Sequence, residues 1–330
     1  MAKSEFDLIQ KIAKTVSLPK GQIVRAIGED CAVFEKNSTA YTVVSTDCLI
    51  EHIHFDLQYF SFLELGQKAM AVNLSDIAAM GAVPQFVLVT LGVPKHVTES
   101  NILEFYQGLE ICLQKHGGHV VGGDLAQSVS DFFINITVIG ECLKEHCKMR
   151  STAKVGDGIY VTGRLGSAAL GLVSLQAGHA MDSVYTQVLK APNPLVQAGQ
   201  MLAQKAEVHA MLDVSDGLLQ DLGHILSESQ VSAEICVDDI PVLENFATDC
   251  QLHKQDSFEL RLSGGEDYQL LLTMDKSGYE VVRQELEDVG TQLTCVGKIV
   301  AAEASGPTCV VKRRNGEIYH PQNLGFDHFK

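Results

Sequence analysis

The chain has 330 residues, of which 46% are hydrophobic and 20% are charged. This composition is typical of a globular protein with a large core, and the length predicts roughly two domains. The formal net charge is −16, with 41 acidic against 25 basic residues, which argues against a nucleic-acid backbone as partner.

Targeting signals and cysteine patterns give no sign of export. The nine cysteines are scattered and include no C-x-x-C pair, so neither a zinc site nor a disulfide framework is predicted. The N-terminal segment is charged too early for a signal peptide. The uncharged stretch from Ile77 to Pro94 is broken by glycine and proline, so it is not predicted to span a membrane. We expect a cytoplasmic protein without a membrane partner.

The first elements lead to a group of oxygen-bearing side chains. A short amphipathic helix over Glu5–Lys14 is followed, over Ile27–Val33, by a turn that enters a short strand, with Asp30 near the turn. A β-branched strand over Tyr41–Asp47 then ends in three possible oxygen ligands, Ser45, Thr46 and Asp47. A turn or a helix cap is the alternative interpretation of Thr46 and Asp47.

The stretch Lys68–Gly81 is predicted to be a helix that is apolar on almost every side and therefore buried, with Gly81 at its C-terminus. Asn73 and Asp76 are three residues apart and point to the same side. An unpaired charge in such a helix is costly. Asp76 is therefore expected either to form a salt bridge with a nearby lysine or cap a neighbouring loop, or to hold a metal ion.

Another glycine-rich carboxylate follows a strand over Phe86–Val93 and a helix over Glu99–His116. The segment His119–Asp124 is predicted to be a short strand that runs into a Gly-Gly-Asp turn, where the backbone can approach an anion and Asp124 can bind a cation. A strand over Phe132–Cys142 completes a first domain.

The polar connector Lys148–Gly158 marks the predicted boundary between domains 1–148 and 149–330. Arg150, at its start, is either a surface charge or a phosphate contact. The second domain is predicted to open with a strand over Gly158–Thr162 and a helix over Ser167–Ala177.

A strand over Val208–Asp213 leads to a helix for which Ser215 is the predicted N-cap. Asp213 and Asp216 flank this junction, where backbone N–H groups favour a phosphate and carboxylates favour a cation. Capping by Ser215 and Asp216 is the alternative. A second glycine turn with adjacent carboxylates, Leu262–Tyr268, precedes a further strand.

Six carboxylates thus lie near the ends of elements or inside the apolar helix. They are Asp30, Asp47, Asp76, Asp124, Asp213 and Asp216. Oxygen ligands without a His or Cys cluster favour Mg²⁺ or Ca²⁺ over zinc. Neither an EF-hand loop nor a Walker A motif is present. Several Mg²⁺ ions gathered around phosphates, as phosphoryl transfer requires, explain the set.

These residues occur in segments that resemble a known family. The segments are IGEDCAV, STDCLIEHIHF, KAMAVNLSDIAAMGAVP, VVGGD, VSDGL, SGGEDYQLL and the terminal GFDHF. Together they resemble the thiamine-monophosphate kinase family, of the superfamily that includes aminoimidazole ribonucleotide synthetase and selenophosphate synthetase. The resemblance implies a two-domain PurM-like α/β fold of the α+β type, with N-terminal domains paired in a homodimer. It also implies ATP-dependent phosphorylation of thiamine monophosphate to thiamine diphosphate, the last step of thiamine diphosphate biosynthesis, in a site with several Mg²⁺ ions.

The resemblance also assigns roles to individual residues. The implied metal ligands are Asp30, Ser45, Thr46, Asp47, Asp76, Asp124, Asp213 and Asp216. The implied ATP contacts are Tyr106, Gly123, Asp124, Arg150 and Ser215. The implied contacts to thiamine monophosphate are His54, Glu266 and Phe326, although the local sequence also suits an ordinary loop histidine at His54. Many relatives have Asp in place of Glu29 and Trp or Tyr in place of Phe326.

The acceptor in this reaction is a phosphate monoester, which is largely anionic at neutral pH. We therefore expect direct in-line transfer without a side chain as nucleophile or base. Two other functions fit the residues. One is the related aminoimidazole ribonucleotide synthetase reaction, and the other is non-catalytic binding of a divalent ion or nucleotide.

Overall fold

The computed structural model describes residues 5–17, 21–178 and 183–329. In this part of the chain the first sheet has the strand order β1-β2-β3-β6-β4-β5, antiparallel except for the β4–β5 pair. Its strands are β1 (Ile23–Arg25), β2 (Ala32–Glu35), β3 (Ala40–Ile50), β4 (Val83–Val93), β5 (His119–Gln127) and β6 (Phe133–Leu143).

The second sheet has the order β12-β9-β11-β7-β10-β8, antiparallel except for the β9–β12 pair. Its strands are β7 (Gly158–Thr162), β8 (Val208–Val214), β9 (Val231–Cys236), β10 (Gln269–Met274), β11 (Leu293–Ala301) and β12 (Cys309–Lys312). The predicted boundary at residues 148 and 149 falls in the connector between the two sheets.

Helices pack on both sheets. They are α1 (Glu5–Thr15), α2 (Phe62–Ala79), α3 (Glu99–His116), α4 (Ser167–Gln176), α5 (Val184–Lys190), α6 (Val196–Ala203), α7 (Leu218–Ser229), α8 (Phe246–Leu252), α9 (Ser257–Ser263) and α10 (Tyr279–Asp288). Among the described residues, no helix combines the length and the apolarity needed to cross a membrane.

Helix α2 is the buried helix that the sequence predicts, but it begins at Phe62 rather than at Lys68. It begins with a capping box in which Ser61 and Glu64 exchange hydrogen bonds between side chain and backbone. It ends in a Schellman motif around Gly81, whose φ of +68° suits glycine: the Gly81 N–H donates to Ala78 O and the Ala82 N–H to Ile77 O.

Helix α2 packs against both sheets. Its buried side chains share one core with Val87 and Ile136 of the first sheet and with Met211 and Leu270 of the second. The helix therefore lies between the sheets, and its polar residues can reach strands of both. The other face of the second sheet packs on α7 in a second core.

Two predicted strand ends are wrong. Strand β3 continues past Asp47 to Ile50, because β6 pairs with it along its whole length. Strand β5 continues through the predicted Gly-Gly-Asp turn, because β4 pairs with Leu125 and Gln127 beyond it. Glycine is required at position 123, since φ is +153° and a Cβ atom would lie 1.8 Å from Val89 O.

Candidate active site

A cavity of about 810 Å³ opens beside α2 and is large for a small-molecule site. Elements of both sheets line it. Eight residues singled out from the sequence lie in its wall: Asp47, His54, Asp76, Asp213, Ser215, Asp216, Glu266 and Phe326. The cavity therefore joins the predicted cation site to the predicted substrate contacts.

Three carboxylates converge at one end of the site. Ligand oxygens of Asp30, Asp76 and Asp213 lie within 4.8 Å of one another. Ser45 on β3 donates a hydrogen bond to Asp76, and Ser75 on α2 donates to Asp213 Oδ2 at 2.5 Å. The adjacent residues Ser75 and Asp76 therefore connect α2 to both sheets. Asp76 is bonded to β3 of the first sheet, and Ser75 is bonded to Asp213 on β8 of the second.

Asp47 joins this group through the polar side of α2. Its backbone N–H donates to Asn73 Oδ1 at 3.1 Å, and Asn73 Nδ2 donates to Ala69 O at 2.9 Å. Asn73 and Asp76 do face the same way, as their spacing predicts, and both contact β3.

The electrostatics of the cluster show crowded, buried anions. Burial, with the charge of Asp216, raises the pKa of Asp47 to about 6. Burial, with the charge of Asp30, raises the pKa of Asp213 to about 7. The pKa of Asp76 is raised well above its usual range by burial and by the charges of Asp47 and Asp213. A divalent cation would relieve this repulsion, so the donor set fits such an ion.

Arg150 supplies a positive charge at the edge of the cluster. Its Nη2 lies 2.7 Å from Asp30 Oδ1, and its backbone N–H donates to Glu29 Oε2 at 2.9 Å. Burial raises the pKa of Glu29 to about 7. Arg150, a predicted ATP contact, therefore forms an ion pair with Asp30, a predicted metal ligand.

The junction between β8 and α7 differs from the prediction. Gly217, not Ser215, occupies the N-cap position, without a side-chain cap. Instead the buried Asp221 of α7 reaches back, and its Oδ2 accepts the backbone N–H groups of residues 215, 216 and 217 at 3.0–3.1 Å. The N–H groups expected to bind a phosphate are occupied by a carboxylate of the chain itself.

Aromatic rings line the other end of the cavity. The rings of His54 and His328 are 4.9 Å apart, and those of Phe326 and His328 are 4.8 Å apart. The Ile50 N–H donates to His54 Nδ1 at 3.0 Å, so the neutral ring carries its proton on Nε2. Burial lowers the pKa of His54, which favours this neutral form.

Glu266 lies on a strained loop between the carboxylate end and the aromatic end of the cavity. Its φ is +70°, a conformation rarely adopted by residues other than glycine, and its N–H donates to Ser215 O at 2.7 Å. The next residue, Asp267, is buried and accepts N–H groups of Gly166 and Ala168. The glutamate side chain pairs with Lys68 of α2.

The chain is similar to known proteins over almost its whole length. Residues 28–142 match the model of the N-terminal domain of AIR synthase related proteins, and residues 154–309 match that of the C-terminal domain. Thiamine-monophosphate kinase of Bacillus subtilis is 34% identical, with 99% of each chain covered. That of Haemophilus influenzae is 36% identical over 100% of this chain and 99% of its own. The chain belongs to the thiamine-monophosphate kinase family.

Solved structures of thiamine-monophosphate kinases share the fold. AaThiL complexed with AMPPCP and TMP aligns with a TM-score of 0.84 at 28% identity, covering 99% of this chain and 97% of that one. The kinase from Stenotrophomonas maltophilia K279a aligns with a TM-score of 0.76 at 31% identity, covering 95% and 96%. The predicted PurM-like fold with two domains of mixed α/β structure is confirmed.

Four residues that the kinase resemblance assigns lie neither in the cavity wall nor in the carboxylate cluster. Thr46 faces away from Asp47 and bonds to side chains of β6 on the exposed face of the first sheet. Asp124 lies on the same face, because Cys48, Asn135, Thr90 and Asp124 form one row across the sheet. Gly123 is its neighbour on β5, and Tyr106 is half-buried on α3. Their roles stay predictions.

Two charged residues of the site, Lys68 and Asp221, are not among the site residues predicted from the sequence. Lys68 opens the apolar stretch of α2, and a fully buried lysine there required a partner. Asp221 lies five residues after Asp216, on the buried side of α7. In both cases the signal was a charge on an apolar face.

Proposed function

We propose that this protein transfers the γ-phosphoryl group of ATP to thiamine monophosphate, giving thiamine diphosphate and ADP. The observation that carries the proposal is the buried carboxylate cluster opening into a cavity large enough for two ligands. Full-length relatives that are thiamine-monophosphate kinases support it, as does the similarity to AaThiL complexed with AMPPCP and TMP.

We propose that Asp30, Asp47, Asp76, Asp213 and Asp216 hold Mg²⁺ ions, with Ser45 as a further oxygen donor. The crowding of buried anions supports this assignment, as does the all-oxygen donor set. When bound, such ions neutralise phosphate oxygens and stabilise charge that develops on the transferred group.

The side chains of the cavity bind and orient the two substrates. The acceptor oxygen of thiamine monophosphate is already anionic, since the second pKa of a phosphate monoester is about 6. It can attack phosphorus in line while the bond to the ADP oxygen breaks, without a protein base or phosphoenzyme. His54 Nε2–H is a hydrogen-bond donor at the acceptor end, and Phe326 offers a ring face for the thiamine.

We also propose a homodimer formed through the open face and edge of the first sheet. The edge strand β5 exposes Val121 and Leu125 at 57% and 61%, and the adjacent β4 exposes Phe86 and Leu88. Exposed apolar edge strands pair with other chains. A dimer mass in light scattering, lost in Leu125→Lys, would support it, whereas a monomeric wild type would contradict it.

We propose a cytoplasmic location and a division into domains 1–148 and 149–330. All nine cysteines are unpaired, which suits a reducing compartment. The domain division is supported by the connector between the sheets and by family matches that end at 142 and resume at 154.

The direct test is to incubate the purified protein with ATP, Mg²⁺ and thiamine monophosphate, and to separate the products by chromatography. We expect equal amounts of ADP and thiamine diphosphate, and none when thiamine replaces its monophosphate. ATP binding without ADP release would indicate a non-catalytic nucleotide-binding protein. Turnover only with a formylglycinamidine substrate would indicate the related synthetase. A phosphorylated side chain trapped during turnover would contradict direct transfer.

A further inference from the structure

Lys68 is a fully buried lysine beside the cavity, and metal binding and transfer do not use it. It opens the apolar stretch of α2 and is among the largest side chains of the described core without solvent exposure. A buried ammonium group is costly unless it is paired and hydrogen-bonded. Its position therefore calls for a specific partner.

The partner is Glu266, from the strained loop between α9 and β10. Lys68 Nζ donates to Glu266 Oε2 and also to Leu189 O at 3.1 Å. The same Nζ lies 5.8 Å from the ring centre of Phe60 and 5.9 Å from that of Tyr268. These contacts fix the ammonium group from several sides, so it can act as a rigid anchor.

Only one end of this ion pair reaches the cavity. The side chain of Glu266 is 29% exposed and lines the wall, whereas Lys68 is hidden behind it. With Oε2 held by Lys68, the other oxygen is the one left to meet a ligand. An unanchored glutamate next to buried aspartates would turn towards solvent, because like charges repel.

We propose that Lys68 is a positioning residue for recognition of the thiamine substrate. It fixes the Glu266 carboxylate so that one oxygen faces the substrate, and it balances the glutamate charge beside the acidic cluster. This inference rests on the proposed function, because it needs Glu266 to contact thiamine monophosphate. Lys68 itself does not touch substrate.

The chain offers a matched control in Lys190. This lysine is also buried, lies 5.8 Å from the same Phe60 ring, and pairs with Glu64, which does not line the cavity. Lys68→Met and Lys190→Met therefore both delete a buried ammonium group near one ring. Only the first deletes the anchor of Glu266.

The experiment compares Michaelis constants for both substrates in wild type, Lys68→Met and Lys190→Met. We expect Lys68→Met to raise KM for thiamine monophosphate about tenfold, the usual size of losing one charge-assisted hydrogen bond, and to leave KM for ATP within about twofold. Lys190→Met should leave both constants within about twofold. In a Glu266→Gln background, Lys68→Met should add little.

Three results would overturn the inference. One is an equal KM for thiamine monophosphate in the two lysine variants. The second is a loss of kcat with both KM values unchanged, and the third is a full additional effect of Lys68→Met in Glu266→Gln. If Lys68→Met does not fold, Lys68→Gln replaces it and must raise the same KM. Failure of the proposed function is distinguished by the wild type, which would then form no thiamine diphosphate.

Discussion

Arg150 Nη2 lies 2.7 Å from Asp30 Oδ1, so a guanidinium group already balances part of the buried negative charge. We expect Arg150→Met to lower the free energy of unfolding by about 3 kcal/mol in chelator, as breaking a buried ion pair does. The loss should shrink in saturating Mg²⁺, because the ion supplies the missing positive charge.

Urea denaturation with chelator and with Mg²⁺ measures both values. Arg25→Met is the control, since Arg25 is half-exposed and lies 3.7 Å from Glu29 at the same loop. An identical loss with and without Mg²⁺ would show that Arg150 does not share the cation site.

Asp76→Asn tests the centre of the carboxylate cluster. We expect kcat to fall about 100-fold or more, because electrostatic stabilisation of the transferred group weakens when one ligand charge is removed. Steady-state kinetics at saturating Mg²⁺ measures it, with Asp288→Asn on the exposed side of α10 as control. Near-normal turnover of Asp76→Asn would remove Asp76 from the site.

Local sequence patterns predict those elements whose signal lies within a single segment of the chain. The buried part of helix α2 follows from its apolar periodicity, and the end of α3 at His116 follows from the glycine at position 117. The carboxylates of the cluster could be recognised because a charge within an apolar segment requires a partner.

The remaining features depend on contacts between distant segments. Thr46 lies on the opposite face from Asp47 because side chains alternate along β3, but its hydrogen-bond partners come from β6, about ninety residues away in sequence. Lys68 and Glu266 are 198 positions apart. The pairing at the β8–α7 junction is local by contrast, because Asp221 lies four to six residues from the three backbone N–H groups that its Oδ2 accepts. No local pattern contains the pairing of β3 with β6 or the ion pair of Lys68 with Glu266.

Metal affinity is expected to depend on pH. Without metal, the pKa of Asp47 is about 6 and that of Asp213 about 7, so both carboxyls take up protons as the pH falls below 7. A cation must then displace those protons. The Mg²⁺ or Mn²⁺ dissociation constant should therefore rise as pH falls, by about tenfold per unit for each proton displaced below about pH 6.

Titration of metal-free protein with Mn²⁺ at several pH values, followed by electron paramagnetic resonance, gives these constants directly. Asp213→Asn should bind more weakly at high pH and show a shallower dependence. A dissociation constant that is the same at about pH 5.5 and about pH 8 would contradict the involvement of these two carboxylates.

Asp221→Ala tests the carboxylate that holds the β8–α7 junction. It leaves three backbone N–H groups without their acceptor, so we expect a loss of about 3 kcal/mol in the free energy of unfolding. Asp221→Asn keeps one acceptor oxygen and should lose less. Hydrogen exchange at residues 215–217 should be faster in both variants, and unchanged exchange would contradict the role.

His54→Ala tests the acceptor end of the cavity. The Ile50 N–H fixes the neutral ring with Nε2–H as donor, and the lowered pKa of His54 keeps that form at neutral pH. We expect KM for thiamine monophosphate to rise about tenfold, as for loss of one hydrogen bond to a charged group, with KM for ATP little changed. Exposed His96→Ala is the control. A normal KM would show that His54 does not contact the substrate and only stabilises its loop, by accepting the hydrogen bond from the Ile50 N–H.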